Sequence, residues 1–166
     1  GGGGGEGTGA GFRSEFKTTV LFAPRLETGP DGTATATIDL PDNLTTYRLM
    51  AVAVTRGDQA GGGAAEVRVQ KPLMALPALP RLARVGDRFE AGVVVHAPGG
   101  KIGEVEVRAE AEGLVLDGAP AQQVALAGTR REVRFLFHAE RAGEAVLRFR
   151  VKGGGEQDGV EQRLPV

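Results

Sequence analysis

Hydrophobic and polar residues alternate with a period of two along most of the second half of this chain. From Arg88 to His96, residues Phe89, Ala91, Val93 and Val95 share one face. From Glu104 to Ala111, Val105, Val107 and Ala109 point one way while Glu104, Glu106, Arg108 and Glu110 point the other. Val133, Phe135 and Phe137 repeat the pattern between Arg131 and His138, and Ala145, Leu147, Phe149 and Val151 repeat it between Gly143 and Val151. Strict alternation is the mark of a half-buried strand, with one face on a core and one in water. Short strands at Leu114/Leu116 and Val124/Leu126, an irregular proline-bearing edge strand over Lys71–Pro80, and a closing strand over Val160–Val166 complete the set. With turns every 8–12 residues or so, this predicts an antiparallel β-sandwich over 71–166.

The first half is patterned differently. Gly1 to Gly11 holds eight glycines, which reads as a linker spanning roughly 17–20 Å as a random coil. Gly5, Gly7 and Ala10 half-spell a dinucleotide fingerprint, but no strand precedes them and no helical pattern follows. Phe12–Phe22 reads as a strand and Glu27–Gly32 as a turn. Thr33–Leu40 alternates Ala34, Ala36 and Ile38 against Thr35, Thr37 and Asp39, a half-exposed strand. Pro41-Asp42-Asn43 marks a tight turn, the Asp and Asn side chains being suited to bond backbone just ahead. Tyr47–Val54 is almost wholly apolar after Arg48, so it reads as a central strand covered on both faces. Arg56–Ala65 is a polar glycine-rich loop by composition, and Glu66–Gln70 a short strand. Four strands are too few for a self-sufficient sandwich, so the first unit is expected to be incomplete, its earlier strands lying upstream of Gly1. No segment has convincing helical periodicity.

Composition narrows the function classes. The 20 basic and 21 acidic residues nearly cancel, leaving no electrostatic footprint for nucleic acid or anionic membrane. No apolar run approaches 18 residues, so direct membrane insertion is not expected. Cysteine is absent from the 166 residues, which excludes disulfide staples, thiol catalysis and thiolate metal ligation. The histidines, His96 and His138, sit at strand ends without partners at ligand spacing. Asp31, Asp42, Asp58 and Asp87 adjoin or lie near Gly, Pro or Asn and are read as turn residues. Ser14 is the sole serine and lies outside any G-x-S-x-G elbow. Met50 and Met74 are read as core and linker packing. No catalytic, cofactor-binding or metal site is expected, and the chain is not expected to be an enzyme.

The stretch LPDNLTTYRLMAVAVT, Leu40 to Thr55, resembles the signature that follows the bait region in alpha-2-macroglobulins, of the form P-D-x-x-T-x-aromatic-x-x-x-A. FKTTVLFAPRLETGPDGTATATIDLPDN, KPLMALPALPRLARVGDRFEAGVVV and the glycine-rich lead-in fit the bacterial branch in the same order. The resemblance is strongest between Phe12 and Val95. It implies an all-β fold: a partial antiparallel β-sandwich, then a complete fibronectin/immunoglobulin-like macroglobulin sandwich. Residues 1–11 would be the downstream end of the bait region. Residues 12–70 would be the second part of an interrupted macroglobulin-like domain, and 71–166 the next complete one. The implied function is that of a structural segment of a broad-spectrum endopeptidase inhibitor that traps proteases after bait cleavage. Its partners would be endopeptidases, met through the full-length parent, and the parent's other macroglobulin-like and thioester domains. Its location would be periplasmic or extracellular, with lipid anchoring of the parent left open. The thioester motif C-x-E-Q is absent, and neither Glu156-Gln157 nor Glu161-Gln162 can supply it without cysteine. The alternative is an extracellular adhesion or carbohydrate-binding sandwich, against which stands a composition of one Tyr and no Trp.

Overall fold

The alternating segments become strands whose apolar faces meet. A computed structural model describes residues 11–166, and ten strands occur among them with no helix. The chain divides into two units: residues 11–14 together with Lys71–Val166, and Glu15–Gln70. The stretch read as a linker, Gly1 to Gly11, therefore lies, except for Gly11, outside the described residues.

The larger unit is built from β3 (Met74–Ala78), β4 (Arg88–His96), β5 (Glu104–Glu112), β6 (Val115–Asp117), β7 (Ala121–Ala125), β8 (Arg130–His138), β9 (Glu144–Gly153) and β10 (Glu156–Pro165). These form two four-stranded antiparallel sheets, ordered β10-β9-β5-β7 and β3-β4-β8-β6. The inward rows are those read from the sequence: Val105, Val107 and Ala109; Val133, Phe135 and Phe137; Ala145, Leu147, Phe149 and Val151 are all buried. Phe149 joins the sheets, its ring 6.1 Å from that of Phe135 and edge-on to Phe137 at 6.5 Å. Burying each of the Val, Leu and Phe side chains contributes about 1.5–3 kcal/mol. Pro77 lies in β3, an edge strand, where its missing N–H leaves no ladder bond unmade on the central side. The β9–β10 hairpin turns through Gly154 and Gly155, both at positive φ (57° and 80°), the backbone that a two-residue primed turn requires.

The smaller unit departs from expectation in four places. Its regular structure is one hairpin, β1 (Thr46–Val54) paired over nine residues with β2 (Ala60–Arg68). The apolar run of β1 is not covered: Leu49 is 40% exposed, Met50 75%, Val52 82% and Val54 75%. A two-stranded ribbon has two faces, and within this unit no second sheet stacks on either. Met50 is thus a surface residue here, whereas Met74 is buried. The segments 12–22 and 33–40 form no strand apart from a single bridge at Arg13, and among the described residues no strand pairs with them. Conversely, Gly61, Gly62 and Gly63, read as loop, pair with Ala53, Val52 and Ala51, drawn into register by the neighbouring strand.

The Asp31 turn forms as read, Gly29 N–H bonding Thr33 O at 2.8 Å and Asp31 accepting from the Thr33 amide at 3.1 Å. Asp42 and Asn43 act at longer range than a local turn. Their side chains accept the Glu15 and Lys17 amides at 2.9 and 2.8 Å, some 26–27 residues upstream. An exposed strand of this kind tolerates truncation. Val52→Ala is expected to change stability by no more than about 0.5 kcal/mol, as read by denaturant unfolding; a loss of 2 kcal/mol would mean that β1 is covered within the chain.

Candidate functional site

Strand β10 starts with its inward positions occupied in turn by Asp158, Val160 and, further on, Leu164, all buried. An ionised carboxylate in a core row costs several kcal/mol unless it is paired and hydrogen-bonded. Here it is. The Asp158 side chain, fully out of solvent, accepts from Arg13 in a fork, Nε to Oδ1 at 3.0 Å and Nη2 to Oδ2 at 2.7 Å. The Ala75 amide donates to Oδ2 at 2.8 Å and Lys71 Nζ to Oδ1 at 2.9 Å. Arg13 Nη2 also donates to the Ala75 carbonyl at 2.6 Å. Burial pushes the Asp158 carboxyl up, and the bonds from Arg13, Ala75 and Lys71 more than offset it, holding the group below the usual carboxylate range.

Position in the fold explains what the cluster joins. Asp158 lies on β10, the edge of one sheet, and Ala75 on β3, the edge of the other. Arg13 reaches both from just after the glycine-rich stretch, 145 residues before Asp158. Its backbone is pinned as well: Arg13 N–H bonds Gly159 O at 2.8 Å and Glu161 N–H bonds Arg13 O at 2.9 Å, a one-residue parallel bridge to β10. A Cβ at position 159 would lie 2.7 Å from Gly11 O and 2.8 Å from the Phe12 ring, so only glycine lets the lead-in approach this closely. The Phe12 ring packs under the Arg150 guanidinium at 4.7 Å. Chemically the arrangement is an anchor: a guanidinium bound bidentately, a backbone bridge, and an aromatic ring under a cation.

Sequence reasoning passed over both Arg13 and Asp158. Two signals were available. Asp158 is in phase with Val160 and Leu164 on a period of two, so it falls on the inward face, and Arg13 is the first basic residue in the chain.

The other candidates settle as follows. His138 gains partners that spacing did not reveal: Nδ1 lies 3.0 Å from Asp117 Oδ1 and Nε2 3.3 Å from Glu140 Oε1. The carboxylates engage opposite ring nitrogens, so they share no point at which an ion could sit. No group of three or more His, Asp or Glu residues placed to hold a metal occurs among the described residues. His96 is drawn below its ordinary value, by burial and then by Arg130 nearby. Asp87 accepts the Arg84 amide at 2.9 Å, a turn role. An open concavity of about 350 Å³ is lined by Gly113–Val115, residues 140–144 and Val166. No helix long and apolar enough to cross a membrane occurs among the described residues.

The larger unit is thus an antiparallel β-sandwich of two four-stranded sheets, whose edge strands β10 and β3 are joined through Arg13. The model of the family described as "Alpha-2-macroglobulin family" matches residues 19–109, and the chain belongs to that family. An alpha-2-macroglobulin homolog of Nostoc sp. is 33% identical over 172 aligned positions, covering 99% of this chain and 9% of the relative. A homolog of Deinococcus radiodurans is 29% identical over 93% of this chain and 15% of the relative. The chain thus spans only a small part of the curated relatives that it matches. Among solved structures, trypsin-activated alpha-2-macroglobulin from Escherichia coli superposes with a TM-score of 0.69 at 24% identity, covering 79% of this chain and 10% of that one. The Escherichia coli protein activated by porcine elastase gives 0.71 at 20% identity, covering 93% and 15%. At those identities the likeness shows the fold. Arg13 and Asp158 both lie outside the matched span.

Proposed function

We propose that this chain is a structural segment of a bacterial alpha-2-macroglobulin-like inhibitor that encloses endopeptidases after its bait region is cut. The observation that carries this reading is the family match over residues 19–109, which runs from the smaller unit into the sandwich. Residues 1–11 are then the downstream end of the bait, 12–70 the second part of an interrupted domain, and 71–166 the following domain. The exposed apolar side chains of β1 suit a unit whose remaining strands the parent supplies. The related proteins described as activated by trypsin and by porcine elastase favour endopeptidases as the partners. Any thioester chemistry would belong to another domain, since this chain has no cysteine. Its setting would be periplasmic or extracellular, where such proteases are met.

The test uses the full-length parent incubated with trypsin or elastase. Trapping predicts that activity on a large protein substrate falls while activity on a small peptide substrate persists, because an enclosed protease still admits the latter. The isolated 166 residues should leave both activities intact. Loss of both activities with the isolated chain would replace trapping by direct blockade of the protease's active site.

A further inference from the structure

We propose that the sandwich carries a docking socket for an extended peptide in which an aromatic residue is followed by arginine, filled in cis by Phe12–Arg13. The inference does not depend on the parent being an inhibitor. Three features make the socket a built one rather than a chance contact. Its floor is Asp158, whose side chain is fully buried on the core-facing row of β10 and forked by the guanidinium at 3.0 and 2.7 Å. A point charge on a flexible stem cannot reproduce that planar two-point contact, so arginine is selected over lysine. Its rail is the backbone of β10, which exchanges the bonds Arg13 N–H to Gly159 O and Glu161 N–H to Arg13 O, the mode by which sheet edges take up extended peptides. Its aromatic seat lies against Gly159, which has no Cβ to obstruct the ring, and beneath Arg150.

Further bonds brace the pair. Arg13 Nη2 bonds the Ala75 carbonyl, while Lys71 and the Ala75 amide complete the shell of Asp158. Lys71 is 43% exposed at its side chain, so it supplies charge from the solvent side without closing the socket. The consequence is mechanical. Phe12–Arg13 directly follows the glycine-rich lead-in, so a backbone cut anywhere in Gly1 to Gly11 leaves the downstream stub seated on the sandwich.

Two measurements test this on the whole chain. In limited trypsin digestion, the Arg13–Ser14 bond should be cut at least about tenfold more slowly than Lys17–Thr18, and the Arg13 and Glu161 amides should exchange as slowly as those of β9. In the double variant Phe12→Gly/Arg13→Gly, the tetrapeptide acetyl-Gly-Phe-Arg-Ser-amide should raise the melting temperature saturably and restore slow exchange at Glu161. The same peptide with Lys for Arg should be at least about tenfold weaker. Equal cutting at the two bonds, fast exchange at Glu161 in the unaltered chain, or indifference of the variant to the Arg peptide would each overturn the proposal. Should the double variant not fold, exchange in the unaltered chain decides alone.

Discussion

Asp158→Ala is expected to destabilise the sandwich by about 3–5 kcal/mol, the range for removing one partner of a buried ion pair. The loss falls mainly on what stays behind. Arg13 is only 7% exposed and would keep a buried guanidinium without its bidentate carboxylate partner. The Ala75 amide would lose its acceptor too, whereas Lys71 can turn to water. For a domain with roughly 5–15 kcal/mol to lose, such a change is large. The measurement is denaturant unfolding at neutral pH, and a loss below about 1 kcal/mol would mean that the cluster is solvated. The pH dependence has a definite sign. Because the folded carboxyl sits below its ordinary value, its contribution is fully present above the unfolded value of about 4 and is lost as pH falls through the folded one. The gap between the parent chain and Asp158→Ala should therefore narrow below about pH 4 and stay constant from pH 5 to 8.

How far the sequence led depended on where each element's partner lies. Strands β4, β5, β8 and β9 were legible because each pairs within the chain and shows one face to water. Val107 alternating with Glu106 and Arg108 states that geometry directly. β1 misled for the complementary reason. Leu49–Val54 has the composition of a strand covered on both faces, but no element of its unit covers it, so the side chains stand exposed. Gly61–Gly63 looked like loop because glycine has no side chain to alternate, and only pairing with Ala51–Ala53 makes it a strand. The turn residues Asp42 and Asn43 were recognised by type but not by reach, since their acceptors serve Glu15 and Lys17 far upstream. The anchor was hidden most thoroughly. Arg13 and Asp158 belong to one cluster only after β10 has been set in phase and Phe12–Arg13 laid against it.

Phe149→Ala should cost about 3–5 kcal/mol, the range for truncating a buried aromatic. Phe149 has no exposed surface and bridges the sheets, its ring meeting Phe135 and Phe137 of the opposite sheet at 6.1 and 6.5 Å. Its ladder neighbours are Ala109 on β5 and Val160 on β10, and neither is long enough to fill the space left behind. Collapse is restrained because β9 is held on both sides, by β5 and by β10. Phe149→Leu retains most of the volume and should cost markedly less, about 1.5 kcal/mol or under. The cavity should also be shared. Phe137→Ala and Phe149→Ala combined should fall short of the sum of the two single losses by at least about 0.5 kcal/mol, since each removes the other's aromatic partner. As a reference, Phe22→Ala, at a position 82% exposed, should shift stability by no more than about 0.5 kcal/mol. Unfolding midpoints at unchanged denaturant slope give all four values. A Phe149→Ala loss under 1 kcal/mol would show that the sheets are not held together through this ring.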